Sequence, residues 1–213
     1  VAGFAMSGTA LVSQHTGAGN SKNADIAATQ VISFSIIAGI LVAIAGSLAA
    51  PTLLPFITGQ SRITELSTSY LLWFFPCTPF IFINASFRIL SAAAGDTKTP
   101  LKITLITNII NLIPDPFLIV GIGPFPRMGV AGAAVATLLS TALASFAVLY
   151  IMLRKKNVLK LLLDHILPEK KWMRQIFKIG FPAAVGHSAD SLGFIVLMTV
   201  IAKLPESRDA LAG

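Results

Sequence analysis

Apolar residues gather in six long runs, roughly 1–18, 26–57, 67–94, 100–122, 129–153 and 176–203, separated by short polar breaks. A bilayer core about 30 Å thick needs about 20 apolar residues per helix. Irregular backbone and open sheet are not tolerated against lipid, and the alternating ten-residue strands of a membrane barrel are absent. The pattern therefore predicts an all-α, polytopic membrane protein with six transmembrane helices. Short turns between the runs predict antiparallel neighbours. No window reads as a cleaved signal peptide.

The breaks carry helix punctuation. GAGN at 17–20 ends the first run, and Gly121, Gly123, Pro124 and Pro126 end the fourth. In GDTKTP (95–100) the expectation is Thr99 as N-cap, with Pro100 at the first helical position.

Composition agrees with a lipid environment. The 213 residues are 54% apolar and 12% charged, with a mean hydropathy of +0.79, whereas soluble domains carry about 25% charged residues. This excludes a disordered chain, a nucleic-acid module and an ordinary soluble enzyme, and makes membrane lipid the expected partner. The net charge of +7 resides in the breaks. Lys22, Lys98, Lys102, Arg154, Lys155, Lys156, Lys160, Lys170, Lys171, Arg174 and Lys178 follow the first, third and fifth runs, and Arg62, Arg127, Lys203 and Arg208 lie in the alternate set. That bias predicts a multi-pass protein of a cell membrane, the plasma membrane of a prokaryote, with the loops near 22, 98 and 154–178 cytoplasmic. Residues 154–178, apolar at Leu159, Leu161, Leu162, Leu163 and Ile166 and otherwise basic, predict an interfacial helix on anionic lipid. Arg88 lies inside a run near its cytoplasmic end, where the plain expectation is snorkelling to the headgroups.

Ionisable groups at membrane depth are costly and are candidates for function. Of the nine acids, Asp115 and Asp190 lie within runs. At 100° per residue, Thr104, Asn108, Asn111 and Asp115 fall within about 60° on one helix face. Their hydroxyl, amide and carboxylate oxygens suit Na⁺, and the carboxylate also suits a proton. Pro114 and Pro116 lack N–H groups and free the carbonyls of Ile110 and Leu112, a way of building ion sites in transporters. Thr137, Ser140 and Thr141 share a face within the small-residue stretch 128–141, which taken alone predicts close helix packing. Asp190 follows His187 by three residues above Pro182, a second acidic candidate.

No P-loop, nucleophile elbow or metal-ligand spacing is present, and the single cysteine, Cys77, excludes an internal disulfide. The expectation is a protein that is not an enzyme and carries no cofactor beyond a coupling ion.

The segments 10–30 (ALVSQHTGAGNSKNADIAATQ), 91–104 (SAAAGDTKTPLKIT), 108–121 (NIINLIPDPFLIVG), 126–141 (PRMGVAGAAVATLLST) and 176–184 (IFKIGFPAA) resemble, in order, the multidrug and toxic compound extrusion (MATE) transporters. The resemblance implies that the runs correspond to the second through seventh of twelve helices. Residues 1–153 would then form most of an N-terminal lobe, 154–175 a cytoplasmic basic linker, and 176–213 the first helix of a second lobe. The chain is thus expected to be a piece of a longer protein, its partner being the remainder of its own chain. The resemblance implies a secondary antiporter that exports organic cations, drugs or metabolites against inward Na⁺ or H⁺. In the DinF-like branch, Asn111, Asp115 and Thr137 match three members of a cation site whose fourth is an Asp of the first helix, and the helix-five match favours that branch. In the NorM-like branch a helix-seven Glu lies eight residues after a Pro, the position held here by Asp190. Where members often carry Arg, three residues before the Gly of GDTKTP, this chain has Ala92.

Two alternatives differ in class. A lipid-linked oligosaccharide flippase of the same superfamily would line its cavity with cations, and only Arg88 lies within a helix here. An intramembrane aspartyl protease would pair two aspartates, but neither Asp115 nor Asp190 sits in a GxGD motif.

Overall fold

The computed structural model describes residues 2–58, 61–124, 126–154 and 158–201. Among them the regular elements are helices: α1 (Ala2–Gly17), α2 (Ser21–Thr58), α3 (Ser61–Phe74), α4 (Thr78–Ala93), α5 (Lys98–Leu112), the short α6 (Pro114–Pro116), α7 (Val130–Leu153) and α8 (Lys170–Ile201). Five stretches, 21–56, 62–93, 98–121, 130–153 and 170–198, are long and apolar enough to cross a membrane. The chain is a multi-pass membrane protein. Six such helices were expected; α1 has 16 described residues, about 24 Å at 1.5 Å per residue, and packs against α2, α4 and α8.

The breaks fold for identifiable reasons. After α1 the chain turns at Gly19 (φ 69°), and Asn20 Oδ1 accepts the Asn23 N–H at 3.1 Å to cap α2. The run predicted as one helix over 67–94 is divided by a 3₁₀ turn at Phe75–Cys77, where Pro76 removes a backbone donor. The single Thr78 hydroxyl proton lies within reach of two carbonyls, those of Phe75 (2.8 Å) in the break and Gly39 (2.9 Å) on α2.

The expected cap of α5 is corrected. The helix begins at Lys98, and Asp96 Oδ1 accepts the N–H groups of Lys98 and Thr99, each at 3.0 Å. Thr99 therefore lies inside the first turn. A carboxylate two and three residues before orphan N–H groups reaches them better than a hydroxyl already within the helix. Burial pushes the Asp96 carboxyl upward, but the Thr99 and Lys98 hydrogen bonds and the Lys102 charge outweigh it and hold it below its usual value. The cap is therefore charged at neutral pH and is lost as pH falls through that lowered value.

The core joins Leu11 and Val12 of α1, Ala27 and Ile32 of α2, Phe87 and Leu90 of α4, Val148 and Met152 of α7, and Ile176 of α8. Leu41, Leu48, Leu105, Leu143 and Phe146 point outward, as lipid-facing residues do.

The expected interfacial helix in the linker is also corrected. Residues 158–162 form no helix, with Leu162 extended (φ −101°, ψ 107°), a 3₁₀ turn spans Leu163–His165, and α8 starts at Lys170. Leu159 and Leu161 enter the core rather than lipid, at 1% and 4% exposure. The cause is a row of polar side chains on α2 that takes the backbone groups a non-helical chain leaves open. Asp25 Oδ1 accepts the Lys160 N–H (2.8 Å), and Thr29 Oγ1 accepts that of Leu162 (3.0 Å). Gln30 Nε2 donates to the carbonyls of His165 (2.6 Å) and Leu167 (2.9 Å), while its Oε1 accepts the Glu169 N–H (2.9 Å). The start of α8 is thereby tied to α2, and Trp172, Ile176 and Gly180 are buried; beyond Pro182 most described side chains are exposed.

Candidate polar site between the fifth and seventh helices

The prolines act on α5 as expected. Regular α-helix stops at Leu112, but Ile113, Pro116 and Phe117 keep right-handed helical dihedrals. The chain thus passes through Asp115 without turning away, and then widens into a π turn over Phe117–Gly121. Wide turns of this kind are frequent at functional sites. The break is held from the other side: Met128 N–H donates to Leu118 O (2.9 Å) and Gly129 N–H to Ile119 O (3.2 Å).

Gly132 of α7 permits this approach. A Cβ there would sit 2.6 Å from both the carbonyl carbon and oxygen of Leu118 and 3.0 Å from the Ile119 nitrogen. Backbone atoms cannot step aside as a flexible side chain can. Gly132→Val should therefore lower stability by about 1–3 kcal/mol and separate the Asp115 segment from α7. Thermal unfolding of the purified full-length protein measures this, and an unchanged midpoint would show that the contact is not made.

α5 and α7 pack together, and the polar stripe lies at their contact. Asn111 Nδ2 donates to Ser140 Oγ at 3.2 Å and, at the outer limit of a hydrogen bond, to Thr137 Oγ1 at 3.5 Å. Both hydroxyls give their own protons to α7 carbonyls, Thr137 to Ala133 O (2.9 Å) and Ser140 to Thr137 O (3.1 Å). Their lone pairs therefore remain for a donor or a cation. Asp115 is half-buried, and its Oδ1 is buried with no hydrogen-bond partner among the described residues. Such an oxygen in an apolar setting is costly. Asn108 is exposed and lines a separate cavity among α4, α5 and α7, which Thr104 also lines.

The structure thus brings Asn111 and Thr137 together and adds Ser140, whose shared face with Thr137 was read only as packing. Sequence reasoning also missed Asn84, which donates to Thr141 O and Ser145 Oγ, each at 3.0 Å, and so ties α4 to α7. Its signal was an amide inside an apolar run. The second acidic candidate lies elsewhere. Asp190 is exposed on α8, a helix packed on α1 and α2, and the His187 side chain lies outside the described residues. Asp115 and Asp190 thus stand on helices with different neighbours, which does not favour a two-aspartate site.

Residues 1–117 match the MatE family model, and residues 92–201 match that of the lipid II flippase MurJ. The chain is 27% identical over 203 residues to the probable multidrug resistance protein YoeA of Bacillus subtilis, covering 93% of this chain and 44% of that protein. It is 28% identical over 208 residues to the probable multidrug resistance protein NorM of Thermotoga maritima, covering 98% and 44%. The fold overlays on an outward-facing multidrug resistance MATE family transporter of the MOP superfamily with a TM-score of 0.84 at 22% identity, covering 97% of this chain and 45% of that one. The chain therefore spans somewhat under half the length of the relatives it matches.

Proposed function

The chain belongs to the MatE family, and from that premise we propose that it supplies one lobe, and the first helix of a second, of a cation-coupled antiporter that exports organic cations, drugs or metabolites. The two probable multidrug resistance relatives support the export part of this reading. The observations that support the coupling part are a buried Asp115 oxygen with no hydrogen-bond partner among the described residues and, one turn earlier on the same helix face, Asn111 in contact with Thr137 and Ser140. A proton or Na⁺ on that oxygen removes the cost of leaving it bare. Asp115, Asn111 and Thr137 are the proposed ligands, as in the DinF-like branch, with Asn108 one turn below. The basic breaks orient the linker toward the cytoplasm. From Pro100, Asp115 then lies about 22 Å along α5 at 1.5 Å per residue, past the middle of a core of about 30 Å, where an ion arriving from outside reaches it.

The test uses the full-length protein in vesicles loaded with ethidium. Export should follow an imposed inward Na⁺ or H⁺ gradient and stop when monensin or nigericin collapses it. Export indifferent to both gradients would contradict coupling.

The MurJ match over 92–201 favours a second reading, transbilayer movement of a lipid-linked oligosaccharide. Movement of such a lipid in the same vesicles, without ethidium export, would select it.

A further inference from the structure

The polar stripe of α5 does not end at the Asp115 site. About two to three turns below Asp115, α4, α5 and α7 line a half-open cavity of about 210 Å³, bordered by Asn84, Arg88, Thr104, Thr107, Asn108 and Thr141 over apolar side chains. That is smaller than the ~300–1,000 Å³ typical of pockets for drug-sized ligands. No carboxylate lines it, and Arg88 has no ion-pair partner among the described residues.

The remaining groups have defined roles. Thr107 Oγ1 donates to Ile103 O (2.7 Å) and Thr141 Oγ1 to Thr137 O (2.6 Å), so both hydroxyls turn lone pairs outward. Asn84 spends its amide protons on Thr141 O and Ser145 Oγ, and its Oδ1, with no hydrogen-bond partner among the described residues, is closed off from the cavity. The cavity therefore offers one guanidinium fork and two acceptors, the Thr107 and Thr141 hydroxyls, with the Thr104 hydroxyl and Asn108 amide able to serve either role. A simple anion satisfies the fork but not the acceptors. An organic cation is repelled by Arg88. A ligand carrying both an oxyanion and hydroxyl donors satisfies the set.

We propose that this cavity binds the phosphate ester of a small polyol, its phosphate on Arg88 and its hydroxyls on Thr107, Thr141 and Asn108. The chemistry is shared by a free polyol phosphate and by a glycerophospholipid headgroup. The inference goes beyond the coupling reading and does not depend on it, because binding is read without an ion gradient. Arg88 is thereby more than a snorkelling cation.

The test measures equilibrium binding of two radiolabelled probes to the purified full-length protein: sn-glycerol 3-phosphate as the solute, and dihexanoylphosphatidylglycerol as the lipid. At least one should bind saturably, and glycerol without the phosphate should not compete. Binding of glycerol 3-phosphate assigns a soluble ligand; binding of the lipid alone assigns a headgroup. Arg88→Met should weaken binding about tenfold or more, and Arg88→Lys less, because Lys keeps the charge and loses the fork. Independently of any variant, the bound probe should protect Arg88 from phenylglyoxal, as read by peptide mass spectrometry. Failure of both probes to bind, equal binding by Arg88→Met, or absence of protection would each overturn the proposal.

Discussion

Asp115→Asn in the full-length protein is expected to abolish gradient-driven efflux while leaving folding and membrane insertion intact. Asparagine keeps the shape of the side chain and removes the charge. An ion biases a conformational equilibrium only through its different affinity for the two states. With the carboxylate gone, neither Na⁺ nor a proton retains such a difference at this position. Couplings between sites are commonly worth 5–150-fold, so a fall in gradient-driven efflux on the order of 100-fold is expected. Stability should not fall with it, because the wild-type Oδ1 is buried without a partner and the substitution removes a charge that nothing in the described structure pairs. Efflux is measured in vesicles under an imposed gradient, with thermal unfolding in parallel. Wild-type efflux by the variant would leave Asp115 as polar glue between helices.

Gln30→Leu should be the most destabilising single change in the linker contact. The side chain is fully buried, at 0% exposure, and serves two carbonyls and one N–H, those of His165, Leu167 and Glu169. Leucine fills much of the space and leaves three backbone groups without their partner. At about 1–3 kcal/mol for each buried polar group left unsatisfied, a loss of at least about 3 kcal/mol is expected. For a domain of this size that is roughly 6–12 °C in unfolding midpoint. Gln30→Glu should recover little, since a carboxylate still accepts from Glu169 but faces two carbonyls it cannot bond. An unchanged midpoint in Gln30→Leu would show that the linker is held without Gln30, by Asp25, Thr29 and its leucines.

These two sites were not equally visible in the sequence. The helices were, because lipid imposes a length and an apolar composition that the runs display directly. The break at Pro114 and Pro116 was visible too, since a missing N–H acts at a fixed offset whatever surrounds it. Asn111 and Thr137 could be paired through the resemblance, and Ser140 could have been added from its shared face with Thr137. The linker was not legible. Its apolar and basic residues fit an interfacial helix, and what overrides that pattern lies far away in sequence: the partners on α2 are 133 to 139 residues from the groups they bond. Asp25, Thr29 and Ser33, four residues apart on one face of α2, were the available hint, but a polar stripe does not say what it binds. The cap at Asp96 rather than Thr99 has a more local cause, a helix that starts at Lys98, two residues before the proline.

A cation at Asp115 that is linked to substrate movement is linked reciprocally, since binding linkage runs both ways. The most direct measurement therefore runs the cycle backwards. Vesicles carrying the full-length protein are given an ethidium gradient and no ion gradient, and ²²Na⁺ movement and internal pH are followed together. The wild type should move Na⁺ or protons in the direction opposite to ethidium, and Asp115→Asn should move neither. Ion movement by Asp115→Asn at the wild-type rate, or none by the wild type while ethidium crosses, would contradict the claim.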